Sequence, residues 1–319
     1  MSYFEKLFLE ISSEEKHKNI TKDKKIYILG GLFYLIGILF IEINPVFKVL
    51  CGLIYFVGFF SDNKILSSPN LRLILQALII FFTVIYLNIK IENTRIDLID
   101  HFLKFEIFSI LFTVFCLMIL INGSNFIDGV NCNLIFYYLI ITLVIIVLYN
   151  NNLFFPIEIN HLYIIFFVLL LILLLNFNGI IISGDAGAYL ISFFWGVNLI
   201  SISNENFIIS PFFIVLLLWY PAFENLFSVL RKTKIKKSAL NADFKHFHQL
   251  LYIYIKKKFK IKLIANNLSG ILINLYNLLI FIFSLKYYYD TQVLVMIIFF
   301  NICLYLFIYS KILSFFKKH

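Results

Sequence analysis

Ten stretches of this chain are apolar and almost free of charge: residues 26–43, 46–60, 71–89, 104–121, 133–149, 162–177, 187–201, 208–222, 266–285 and 291–312. A helix that crosses a bilayer needs about 20 mostly apolar residues, and its backbone polar groups must be satisfied within the segment. Together the stretches predict an all-α, polytopic integral membrane protein with about ten transmembrane helices. Composition points the same way, with 61% of residues hydrophobic and 14% charged. A soluble domain has about 45–50% apolar and about 25% charged residues. Cys51, Cys116, Cys132 and Cys303 lie far apart with no CxxC spacing, which excludes a disulfide framework and a zinc knot. Residues 1–25 are charged and lack an apolar core before a cleavage site, so they read as a basic N-terminal segment rather than a signal peptide. The expected organisation is one transmembrane domain over 1–319, with a large loop at 223–265.

Ten spans put both termini and the loops after spans 2, 4, 6 and 8 on one side. That side carries 22 of the 27 Lys and Arg residues and the other carries 5. Lys and Arg accumulate on the cytoplasmic side, so the first side is expected to be cytoplasmic, in a cell (inner) membrane. The net charge of +9 is then a topology signal with some attraction to anionic membrane lipids, and no nucleic-acid partner is expected.

Polar residues gather in those same four loops. They are Ser61-Asp62-Asn63-Lys64 with Ser68-Pro69-Asn70-Leu71-Arg72, then residues 122–131 (NGSNFIDGVN), then Asn178-Gly179 with Ser183-Gly184-Asp185-Ala186-Gly187, and last Pro221 and Glu224 through to Asp243-Phe244-Lys245-His246-Phe247-His248. Asn-Gly and Asp-Gly are ordinary turn formers, and the Lys run within 231–237 suits a membrane anchor. Carboxylates, amides and histidines on one face of one membrane nevertheless allow a single shared site. Such oxygen ligands suit a hard cation such as Mg²⁺, which commonly bridges to substrate phosphates, and basic residues suit a polyanion. No P-loop, kinase motif set, GxSxG or HExxH is present, so the phosphates are expected to arrive with the substrate.

These residues resemble a known family. Asn122-x-x-Asn125-x-x-Asp128-Gly129-x-Asn131 resembles the NxxNxxDGxNG signature of the polyprenyl-phosphate N-acetylhexosamine-1-phosphate transferases, the WecA/TagO/MraY-like superfamily of glycosyltransferase family 4. Gly184-Asp185-x-Gly187 is similar to its GDxGS motif, and Asp243-x-x-His246-x-His248 to its DxxHxH element. Pro221 to Arg231 resembles the segment leading into that element. Ser61-Asp62 with Ser68-Pro69-x-x-Arg72 resembles the DD…SPxxR loop, and Lys16-His17 followed by Gly30-Gly31 resembles the RKxH…GG element. The motifs fall in family order and cover roughly residues 15 to 250.

The resemblance implies a membrane enzyme that moves a HexNAc-1-phosphate from a UDP-sugar to a polyprenyl phosphate such as undecaprenyl phosphate, releasing UMP and initiating a cell-envelope polysaccharide. Asp185 and Asn125 would bind Mg²⁺, with Mn²⁺ as an alternative. Asp62 would position or deprotonate the lipid phosphate, Arg72 would hold a phosphate oxygen, and Asp128 would support the metal site or orient the acceptor. Asn131 would contact the uracil and Asn122 the substrate. His246 and His248 would contact the donor pyrophosphate or sugar, with Lys16 and His17 as further substrate contacts. The polyprenyl tail would lie in an apolar groove between helices, and a second copy of the chain is a further candidate partner.

The chain departs from the pattern where Ser61 replaces an aspartate, Cys132 a glycine, Ala188 a serine and Gln249 a third histidine. The missing histidine run favours the polysaccharide-initiating branch over the one making the peptidoglycan lipid precursor. Two other classes stay open: a catalytically silent homologue, and a transporter. A transporter would place polar residues near the bilayer midplane in broken helices of related halves; here the spans are nearly bare of charge and no internal repeat is evident.

Overall fold

The computed structural model describes residues 26–149, 153, 155–234, 245–258 and 261–318. It is helical, with one two-residue ribbon. Strand β1 (Tyr27–Ile28) pairs in parallel with β2 (Ile181–Ile182), Tyr27 opposite Ile181. The helices in chain order are α1 (Gly30–Leu39), α2 (Pro45–Asp62), α3 (Pro69–Tyr86), α4 (Asp97–Leu103), α5 (Glu106–Ile127), α6 (Asn133–Tyr149) and α7 (Ile159–Phe177). They continue with α8 (Gly184–Glu205), α9 (Pro211–Leu217), α10 (Trp219–Lys234), α11 (Phe247–Lys258), α12 (Lys262–Ser284) and α13 (Thr291–Lys318).

Among the described residues seven helices are long and apolar enough to cross a membrane, or eight if α9 and α10 form one bent span. Each of the ten apolar stretches carries helix, but not all at spanning length. The first yields only the ten residues of α1, about 15 Å of helix. Its start is taken by strand pairing at Tyr27–Ile28, and its chain turns before Asn44, whose Oδ1 accepts the Val46 N–H and caps α2 at Pro45. The fifth stretch forms the 17-residue α6.

Helix α8 is the axis of the bundle. Its apolar window is 89% buried, against 22–39% in the other spanning helices, so it faces protein on nearly every side while they face lipid on one. It packs most extensively on α2, and also on α5 and α1. Small residues allow this approach: a Cβ on Gly58 of α2 would lie 2.4 Å from the Ala186 Cα, and one on Gly31 would lie 2.6 Å from the Gly187 nitrogen.

Helices α9 and α10 meet at a 72° bend. Pro221 has no N–H to return to the Leu217 carbonyl. That carbonyl instead accepts the Tyr137 hydroxyl at 2.8 Å, while the same hydroxyl accepts the Tyr220 N–H at 3.4 Å. The bend carries α10 across α5, where the Pro221 oxygen lies 2.1 Å from a Cβ built on Gly123.

Candidate active site

The end of α2 and the start of α8 form the floor of the site. Asp62, the last residue of α2, accepts the Asp185 N–H at 2.9 Å on one carboxylate oxygen and the Ala186 N–H at 3.0 Å on the other. The first N–H groups of a helix lack intrahelical partners and carry partial positive charge, so this anion caps α8. The geometry needs Gly184: its φ is +68°, and a Cβ there would lie 2.6 Å from Asp62 Oδ2.

The Asp185 carboxylate has partners of its own. Its Oδ2 accepts the Ser61 hydroxyl at 2.6 Å and Arg72 Nη1 at 3.0 Å, and Arg72 Nη1 also donates to Ser61 Oγ at 2.6 Å. The Asp185 Oδ1 accepts no hydrogen bond among the described residues. One turn along α8, the Tyr189 hydroxyl accepts Asn125 Nδ2 at 3.3 Å, which brings the end of α5 to the same face of α8. Asn122 donates to Gln76 Oε1 at 3.1 Å, and Gln76 lies one turn after Arg72 on α3. Asp128 closes α5 at its C-terminus.

The histidines meet the same loop. The His246 ring lies 4.9 Å from Phe126 and 5.7 Å from His248, nearly parallel to the latter. His248 Nε2 sits where a Gly129 Cβ would be, 2.2 Å from that position. His246 Nδ1 is 2.9 Å from Glu224 Oε1, and Lys232 Nζ lies 5.7 Å over the Phe126 ring.

The four motif loops are therefore brought together at one end of the bundle. Asn131 is tied to α12: its N–H donates to Asn266 Oδ1 at 3.2 Å and its side chain to Asn267 Oδ1 at 3.0 Å. The adjoining Cys132, at φ +62°, donates its N–H to Asn176 Oδ1 at 2.6 Å. Burial pushes the Cys132 thiol up to about 12, so it stays protonated and is no nucleophile near neutrality. Lys16, His17 and Asp243 lie outside the described residues.

Sequence reasoning gave no role to Gln76, Tyr189, Glu224 or Tyr305, and read Lys232 only as part of a membrane anchor. Gln76 and Tyr189 each follow a motif residue by four positions, Arg72 and Asp185, the spacing that puts side chains on one helix face. Glu224 is the one acid between Glu205 and Asp243. Tyr305, one of the chain's 19 tyrosines, lies in an apolar helix and carries no sequence signal.

Among the described residues no three His, Cys, Asp or Glu side chains cluster as metal ligands. Asp185 and Asn125 are described oxygen-bearing side chains that could hold an ion taking most of its ligands from phosphates and water, as Mg²⁺ does. Fold and site together define a multi-pass α-helical membrane protein with a polar, oxygen-rich centre at one end of its bundle. Residues 45–203, from the start of α2 into the last turn of α8, match the family model for glycosyl transferase family 4, and over that stretch the chain is similar to this family. No curated protein matches the chain. The matched stretch contains Asp62, Arg72, residues 122–131 and Asp185, while Glu224 and the histidines follow it.

Proposed function

We propose that the protein transfers a HexNAc-1-phosphate from a UDP-sugar to a polyprenyl phosphate and releases UMP, with the site facing the cytoplasm, as the first step of a cell-envelope polysaccharide. The observation that carries this reading is the cluster of Asp62, Arg72, Asp185 and Asn125, drawn from α2, α3, α8 and α5. A phosphate oxygen of the acceptor forms a bond to the sugar-bearing phosphorus, and the bond from that phosphorus to the bridging oxygen breaks, so that oxygen leaves with UMP. Phosphoryl transfer of this kind depends on positioning and charge neutralisation.

Asp185 and Asn125 would hold Mg²⁺, which would neutralise the donor diphosphate. Arg72 is a guanidinium beside that centre, suited to a phosphate oxygen. A phosphate monoester is already largely dianionic near neutrality, with its second pKa about 6, so the acceptor needs no strong base. Both Asp62 oxygens are engaged by α8 N–H groups, which favours the positioning role for Asp62 over the deprotonating one. His246 and His248 would face the donor pyrophosphate or sugar, and Asn131 its uracil. The acceptor tail would use the apolar groove of about 220 Å³ between α10, α11, α12 and α13, which Phe247, Tyr305 and Leu272 help line.

The test is UMP release by the purified full-length protein, given undecaprenyl phosphate and a panel of UDP-HexNAc donors with Mg²⁺ or EDTA. Lipid-dependent release that EDTA stops supports the reading, and the best donor identifies the sugar. No release with any donor would favour a catalytically silent homologue, in which the Arg72–Asp185 pair serves structure alone.

A further inference from the structure

Glu224 is a carboxylate that the scheme above leaves without a task. It is fully buried, and three donors converge on it. His246 Nδ1 and the Phe247 N–H reach Oε1 at 2.9 and 3.2 Å, and the Tyr305 hydroxyl reaches Oε2 at 2.7 Å. An ionised carboxylate only accepts, so Nδ1 of His246 carries the hydrogen and Nε2 is the ring nitrogen left to meet a ligand. Phe126 and His248 flank the ring, which restricts its rotation.

A buried charge is costly unless it is paired and hydrogen-bonded. All three donors here come from residues at or near the site, two of them from the His246–Phe247 pair itself. We infer that Glu224 is a positioning residue for His246: it fixes the Nδ1–H form of the imidazole, so that Nε2 is the nitrogen turned to the site. The bond made by one ring nitrogen determines what the other can do. The inference rests on the transferase reading only for what Nε2 then contacts, the donor diphosphate.

The test has two arms on the full-length protein in detergent. In the first, the histidines carry ¹⁵N, and His246→Gln assigns the His246 ring signals. Wild type is expected to show the hydrogen on Nδ1, with its proton signal moved downfield by a charge-assisted hydrogen bond; Glu224→Gln moves that signal upfield. In the second, Glu224→Gln lowers kcat/KM for the UDP-sugar about 10- to 100-fold, with the acceptor KM unchanged. The double variant Glu224→Gln/His246→Gln is then no worse than His246→Gln alone, because residues acting as one unit are not additive. A His246 spectrum unaltered by Glu224→Gln, or losses that add, would overturn the inference. If wild type turns over no donor while the ring signal still responds, the transferase reading fails and the Glu224–His246 coupling stands.

Discussion

Asp62 and Asp185 are joined through the backbone of one and the side chain of the other: the Asp62 carboxylate receives the Asp185 N–H at 2.9 Å, while the Asp185 carboxylate points to Ser61 and Arg72. Two acids thus share a site with different partners. The Asp62 carboxylate is matched by the start of a helix and the Asp185 carboxylate by a guanidinium.

Asp62→Asn tests the first half of that arrangement. An amide presents one accepting oxygen where the carboxylate presents two, so one α8 N–H loses its partner and the charge is lost. The expected cost is about 0.5–2 kcal/mol of stability, read as a lower thermal unfolding midpoint in detergent, together with a marked fall in UMP release.

Asp185→Asn removes the carboxylate that faces Arg72 and would hold the metal. Transfer is expected to fall at least about 100-fold, as when a main electrostatic stabiliser is lost. The residual rate should no longer respond to EDTA, which a steady-state assay over Mg²⁺ concentrations checks.

Gly184→Ala places a Cβ at φ +68°, 2.6 Å from Asp62 Oδ2 and 2.4 Å from Ile28 Cγ2. The left-handed conformation alone costs about 1–2 kcal/mol for a residue with a Cβ, and Asp62 must move off its cap. Activity and unfolding temperature are both expected to drop, measured on the same preparation.

Tyr137→Phe addresses the bend rather than the chemistry. Without the hydroxyl, the Leu217 carbonyl freed by Pro221 has lost its donor, a loss of about 1–3 kcal/mol for a buried group. Thermal unfolding of the variant is expected to shift down, while kcat stays within a few-fold of wild type.

Much of this molecule is legible in its sequence because the bilayer demands it: long uncharged runs become helices, and loops of one parity meet at one end. The motif residues Asp62, Arg72, Asn125 and Asp185 meet for that reason. What escapes reading is set by pairings between distant segments. Tyr27 finds Ile181 across the chain and shortens α1. The Asn131 side chain bonds Asn267, which lies inside an apolar run. Tyr305 reaches Glu224 from the last helix with no motif to mark it. Pro221 signals a break, but the Tyr137 hydroxyl that stabilises the bend lies on another helix.

The most direct test of the account is the fate of the donor's second phosphate. The purified protein is given undecaprenyl phosphate, Mg²⁺ and the preferred UDP-HexNAc labelled with ³²P on the sugar-bearing phosphate, and the products are partitioned between lipid and water. The label is expected in the lipid fraction and UMP in the aqueous one. Label left in water as UDP, with the sugar alone on the lipid, would contradict it.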